Sequence, residues 1–143
     1  MHSTDEAILR ESYELSTLIV SAAERIKRDF IGLAHEIGLT SLSARAIITI
    51  EEPMSMRQLA SLLGVDASYI TTLADQLERD GLARRATGHD RRVRRLELTE
   101  KGEGIRAELR RKMRQGSTVH RLLTCDERDA LRGIASKLVT AGE

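Results

Sequence analysis

Residues Leu59–Thr99 read LASLLGVDASYITTLADQLERDGLARRATGHDRRVRRLELT. The stretch divides into two helices joined by a tight turn, then two short strands around an arginine-rich loop. Ser55-Met56-Arg57-Gln58 has the spacing of a capping box, with Ser at the N-cap and Gln at N3. Leu59, Ala60 and Leu63 come next on one apolar face. Gly64 supplies the residue that can take positive φ where this helix stops. Asp66 is placed to cap the next helix, whose Ile70, Leu73, Ala74 and Leu77 recur at i, i+3, i+4 and i+7 and so face inward. Ser68, Tyr69, Thr71, Thr72, Asp75 and Gln76 fall on the opposite face, and Gly81 closes the helix. Helix pairs of this form place the second helix in a DNA major groove, where its N-terminal residues meet base edges. An ordinary solvated helix face would have the same polarity; the residues on its C-terminal side decide between the two.

Residues 82–87 are expected to form a strand, Gly88-His89-Asp90 a turn, and 93–98 a returning strand with Leu96 and Leu98 alternating with charge. Arg84, Arg85, Arg91, Arg92, Arg94 and Arg95 crowd this hairpin, opposed by Asp90 and Glu97. So many cations on two short strands repel one another unless they are bathed in water or laid against a polyanion. Arg92 sits near the tip, where a guanidinium can enter a narrow A·T-rich minor groove. Arg91 and Arg94 are expected to neutralise phosphates beside it, Arg84 to belong to the same DNA-binding set, and Asp90 to support the wing by orienting an arginine. On the helix, Tyr69, Thr71, Thr72 and Gln76 are expected at base edges and Ser68 at phosphate.

Val65-Asp66-Ala67-Ser68-Tyr69-Ile70-Thr71, then Leu77-Glu78-Arg79-Asp80-Gly81-Leu82 and Arg85, resemble the recognition helix and first wing strand of MarR-type regulators. Asp90-x-Arg92, five residues, Leu98-Thr99 and Lys101-Gly102 are similar to that family's wing motif and the start of its next helix. The resemblance runs over essentially the whole chain. It implies a winged-helix homodimer that binds a pseudo-palindromic operator on double-stranded DNA, usually as a repressor, and often lets go on meeting a small-molecule effector. It also implies that Arg92 is the minor-groove arginine and that Asp90 helps hold the wing. Thr72 and Gln76 stand where the family often has arginine, so base preferences do not transfer.

The expected fold class is mainly α with a small β wing: a winged helix-turn-helix plus long dimerisation helices. Residues 1–143 are read as a single domain, with 38–103 the winged helix-turn-helix and 5–37 and 104–143 the dimerisation helices. Leu15, Leu18, Ile19, Ala22, Ile26, Phe30, Leu33 and Ile37 make one stripe on a long first helix. Thr40 or Ser41 caps a second helix carrying Leu42, Ala46, Ile47 and Ile50, which stops before Pro53, and a bridge strand is expected near Met54. Thr99 caps a helix from Glu100 to about Ser117 with Ile105, Leu109 and Met113 on one stripe. Thr124-Cys125-Asp126-Glu127 opens a last helix with Leu131, Ile134, Leu138 and Val139 expected inward. The terminal stripes need partners, and a C2 dimer matches the symmetry of a palindromic site.

The 143 residues carry a net charge of +1, and only 2% are aromatic, so any core must be aliphatic. No run is long enough to span a bilayer and no signal-peptide pattern opens the chain. One cysteine, Cys125, excludes an internal disulfide and suits a reducing cytoplasm. His2, His35, His89 and His120 have no metal-ligand spacing, and no nucleophile elbow, Walker loop or dinucleotide fingerprint occurs. Neither an enzyme nor a cofactor is therefore expected. Tyr13, Phe30, His35 and Ile47 are candidates to line an effector pocket and equally good core residues. The competing function is a winged-helix protein-interaction module without specific DNA binding.

Overall fold

A computed structural model describes residues 2–87, 90 and 92–141. Helix α1 (His2–Glu36) runs for 35 residues and stops where Gly38 adopts φ +79°. The Gly38 and Leu39 amides donate to the His35 and Ala34 carbonyls, closing the helix end. Helix α2 (Ser41–Thr49) opens on Thr40, whose Oγ1 accepts from the Ser43 amide at 3.1 Å. It ends ahead of Pro53, which has no amide to continue the ladder. Strand β1 (Met54–Ser55) leads into α3 (Met56–Leu63) through the expected capping box. Ser55 Oγ accepts from the Gln58 amide and Gln58 Oε1 from the Ser55 amide, both at 3.1 Å. Gly64 at φ +68° turns the chain into α4 (Ala67–Arg79).

Strands β2 (Ala83–Thr87) and β3 (Arg94–Leu98) form the wing, and β1 joins the far edge of β3, giving an antiparallel sheet of order β1-β3-β2. Arg85 lies opposite Leu96, Arg84 opposite Glu97, and Met54 opposite Leu96 from the other side. The remaining helices are α5 (Glu100–Gly116), α6 (Thr118–Leu122) and α7 (Cys125–Thr140). The short α6 lies between the helix expected to end near Ser117 and the one opened by Thr124, a stretch to which the sequence pattern assigns no element. Its local cause is Ser117, whose Oγ accepts from the His120 amide. Thr124 and Glu127 make the capping box expected of α7.

The chain divides into two compact units, residues 31–115 and residues 1–30 with 116–143. The first holds the core: Ile47, Ile50, Leu59, Leu77, Leu96 and Leu109 are its largest fully buried side chains, all aliphatic. It reaches beyond residues 38–103 because α5 is fastened to the helices before the wing. Arg106 Nη1 donates to the Ile50 carbonyl at 2.5 Å, Arg110 pairs with Glu51 at 2.6 Å and Lys112 with Glu36 at 2.8 Å. The hydrogen bond from Lys112, with its charge, lowers the Glu36 pKa.

In the second unit the inward placement expected of α7 is not met. Leu131, Ile134, Leu138 and Val139 are exposed, as are Leu15, Leu18, Ile19 and Ile26 on α1. Among the described residues of this unit none is buried. The periodicity correctly marks an apolar stripe, and its described side chains lie exposed in one copy of the chain.

Among the described glycines, Gly102 is the most closely packed. A Cβ there would lie 2.0 Å from the Leu82 carbonyl oxygen, whereas one on Gly104 would meet nothing within 4 Å. Alanine is otherwise about 1 kcal/mol better than glycine inside a helix. Gly104→Ala should therefore stabilise by up to about 1 kcal/mol, and Gly102→Ala should destabilise by about 1–3 kcal/mol through overpacking. Urea unfolding of both variants measures the difference in sign.

Candidate nucleic-acid interface

The face of α4 away from the core carries Ser68, Tyr69, Thr71, Thr72, Asp75 and Gln76, all exposed, while Ile70, Leu73, Ala74 and Leu77 are buried. Asp66 occupies the N-cap position, as expected, but its carboxylate makes no cap bond. The positive helix end beside Ser68 thus has no capping side chain. Thr71 and Thr72 donate their hydroxyls to the Ala67 and Ser68 carbonyls, each at 3.2 Å. Each keeps an oxygen lone pair and a methyl group for a partner, and a methyl suits thymine. Gln76 is held in place: its Nε2 donates to both Asp80 oxygens at 3.1 and 3.0 Å, and its Oε1 accepts from Arg79 at 3.0 Å. These exposed bonds are each worth about 1 kcal/mol net, so a base edge can replace them.

Strand alternation sorts the arginines. Arg94 shares the core-facing side with Leu96 and Leu98, and Arg85, opposite Leu96, joins it. Arg84 and Arg95 lie on the other side, with Glu97. Arg84 Nε is bonded to Glu97 Oε1 at 2.6 Å, so its charge is answered within the wing. Arg85 reaches α4: Nη2 lies 2.7 Å from Asp75 Oδ1 and Nη1 3.0 Å from Glu78 Oε2. The bond to Asp75 raises the Arg85 pKa further above the ordinary arginine value, helped by both carboxylate charges and opposed by burial.

Asp90 supports the wing by a different bond from the one expected. Its Oδ1 accepts from the Arg92 backbone amide at 3.0 Å, and its carbonyl accepts from the Val93 amide at 3.0 Å. An aspartate side chain naturally reaches the amide two residues on, so it shapes the turn that carries Arg92. Arg91, with Gly88 and His89, lies outside the described residues.

Arg92 and Arg94 meet the recognition-helix residue Thr71 in one cleft of about 450 Å³, also lined by Ser55, Arg57 and Arg85. Among the described residues Arg57, Arg92 and Arg94 make no ion pair. Arg57 and Arg85 join the cleft although the expected interface does not include them. The capping box places Arg57 in the first turn of α3, and alternation places Arg85 toward α4; both signals are legible in the sequence. An open, cationic cleft beside a polar helix face has the charge and polarity to take up a polyanion.

The candidates for an effector pocket differ in burial. Ile47 is buried in the core, Phe30 half-buried, and Tyr13 and His35 exposed. Cys125 is a free, exposed thiol at the start of α7. Among the described residues no cluster of His, Cys, Asp and Glu could hold a metal, and no helix is long and apolar enough to cross a membrane.

The model of the MarR family matches residues 38–93, the segment that holds α3, α4 and β2 and ends just before β3. The transcriptional repressor MprA of Escherichia coli (strain K12) is 32% identical over 111 residues, 72% of this chain and 62% of MprA. The transcriptional regulator BldR from Sulfolobus solfataricus is 27% identical, with a TM-score of 0.74 over 90% of this chain and 95% of BldR. The chain belongs to the MarR family. A mutant MarR from Escherichia coli, crystallised with operator DNA, is 22% identical and superposes with a TM-score of 0.75, covering 90% of this chain and 95% of that one. At that identity it shows that the two share the MarR winged-helix fold. The match to MprA spans 62% of that protein's length.

Within the MarR winged helix, Gln76 gives the most direct check on the recognition face. Gln76→Ala should cost about 1–3 kcal/mol at one base position and relax preference there. Competition binding against single-base operator variants measures it. Equal weakening on every variant would remove Gln76 from the base readers.

Proposed function

We propose that this MarR-family chain is a homodimeric, sequence-specific regulator of transcription that binds a pseudo-palindromic site on double-stranded DNA. The observation that carries the reading is the cleft in which Thr71 of the recognition helix faces Arg92 and Arg94 of the wing. Ser68, Tyr69, Thr71, Thr72 and Gln76 then supply helix contacts to the major groove. Arg92 enters the minor groove and Arg94 neutralises phosphate, with Arg91 assigned beside them from its place in the sequence. Arg84 joins them only by leaving Glu97.

The dimer is proposed from the exposed apolar stripes of α1 and α7. Leu15, Leu18 and Ile19 on one, and Leu131, Ile134 and Leu138 on the other, are large apolar side chains left exposed along a helix, the kind of surface that marks an interaction site. The whole of residues 1–143 would then act as one domain in each subunit. Repression, with release by a small-molecule effector, rests on the naming of MprA as a repressor and on the habit of the family. A cytoplasmic setting suits the free Cys125 thiol and DNA as partner.

Sedimentation at micromolar concentration and moderate salt should show a dimer; a stable monomer would overturn the assignment of the two stripes. Arg92→Ala should weaken specific and nonspecific DNA binding while the dimer stays folded. One lost phosphate-region contact per subunit should reduce the slope of log affinity against log salt by about 2. Titrations at several salt concentrations, with circular dichroism as the folding control, decide it. Unchanged affinity and slope in a folded variant would take the wing out of the interface.

A further inference from the structure

We propose that Arg85 is a positioning residue, a clamp that joins the wing to the recognition helix and so sets where Arg92 and Arg94 meet DNA; the proposal rests on the DNA-binding reading above. Arg85 leaves β2 on the side facing α4 and bridges two carboxylates one helical turn apart, Asp75 at 2.7 Å and Glu78 at 3.0 Å. Glu78 closes the clamp a second time, because its Oε1 accepts from the Arg85 backbone amide at 3.1 Å. One carboxylate therefore holds both the main chain and the side chain of the first wing strand.

Two features make this more than a surface ion pair. The wing strands are five residues each and the third strand only two, so the ribbon has little stiffness of its own. Its angle to α4 depends on what bridges them. The clamped guanidinium also lines the cleft with Thr71, Arg92 and Arg94, so any change in that angle moves the wing arginines relative to the base-reading face. In addition, Asp75 is exposed on the outward face of α4, and Arg85 cancels carboxylate charge that would otherwise repel a polyanion docked there. The planar fork of arginine can bridge two carboxylates at fixed geometry, whereas a lysine ammonium is a flexible point charge.

The decisive variant is Glu78→Gln. It removes a negative charge next to a polyanion, so charge alone predicts tighter binding, while a broken clamp predicts weaker binding. Titrations use a duplex enriched from a random pool by the wild-type protein. Glu78→Gln and Arg85→Gln should each lose about tenfold in affinity, and the double variant no more than about threefold beyond either, since both break one device. Arg85→Lys should not restore binding, and the salt slope of Arg85→Gln should stay at the wild-type value because no phosphate contact is lost. Hydrogen exchange at the amides of β2 and β3 should quicken in Glu78→Gln, with α3 unchanged. Should Arg85→Gln fail to fold, Glu78→Gln carries the test alone. Equal or tighter binding by Glu78→Gln, recovery by Arg85→Lys, or a slope reduced by about 2 in Arg85→Gln would overturn the clamp while leaving the DNA reading in place. A wild-type protein that enriches no duplex would overturn the DNA reading itself.

Discussion

Thr99 joins the three parts on which the winged helix depends. Its hydroxyl donates to the Gly81 carbonyl at 2.6 Å and accepts from the Gly102 amide at 3.1 Å, while its own amide donates to the Leu82 carbonyl at 3.1 Å. One residue thereby ties the end of the recognition helix, the base of the wing and the first turn of α5. Gly81 at φ +70° lets the chain reverse there, and the Leu82 amide returns to the Leu77 carbonyl at 2.8 Å. The absent side chain at Gly102 allows α5 to approach the Leu82 carbonyl closely enough for these bonds to form together. The hairpin is in this way anchored at its base, and its tip is left to the turn shaped by Asp90.

From that anchored base, the chemistry of the wing is a matter of sorting charge. Of the arginines in 84–95, strand pleating sends Arg84 and Arg95 to one side and Arg85 and Arg94 to the other. Carboxylates then remove some from circulation: Glu97 answers Arg84, and Asp75 with Glu78 answers Arg85. Among the described residues, the unpaired cations that line the cleft with Thr71 are Arg57, Arg92 and Arg94. A chain with net charge of only +1 concentrates its positive potential by this arrangement rather than by excess of basic residues.

The apolar surface is distributed as unevenly as the charge. Residues 31–115 bury an aliphatic core, whereas the long stripes of α1 and α7 remain exposed in one copy. Burying such side chains is worth about 25 cal/mol per Å² of apolar surface. That gain is the driving force for the dimer proposed here. The near absence of aromatic residues is consistent with this division, since among the described residues the buried hydrophobic side chains are all Leu, Ile or Ala.

The amino-acid sequence by itself determined the features that depend on neighbours within about four residues. The capping boxes at Ser55 and Thr124, the turn at Gly64, the inward set Ile70, Leu73, Ala74 and Leu77, and the outward polar face of α4 all stand as the spacing predicts. Even so, Asp66 holds its N-cap position without making the cap bond, and Gln76 engages Arg79 and Asp80 rather than standing free. The local pattern names a position; competing partners choose its bonds. Only the tertiary structure decided which arginines remain available, because the Arg85–Asp75 and Arg84–Glu97 pairs arise from strand register and from how the wing lies on α4. It also decided that the stripe of α7 is exposed in one chain, since periodicity records which side chains share a face but not what lies opposite it.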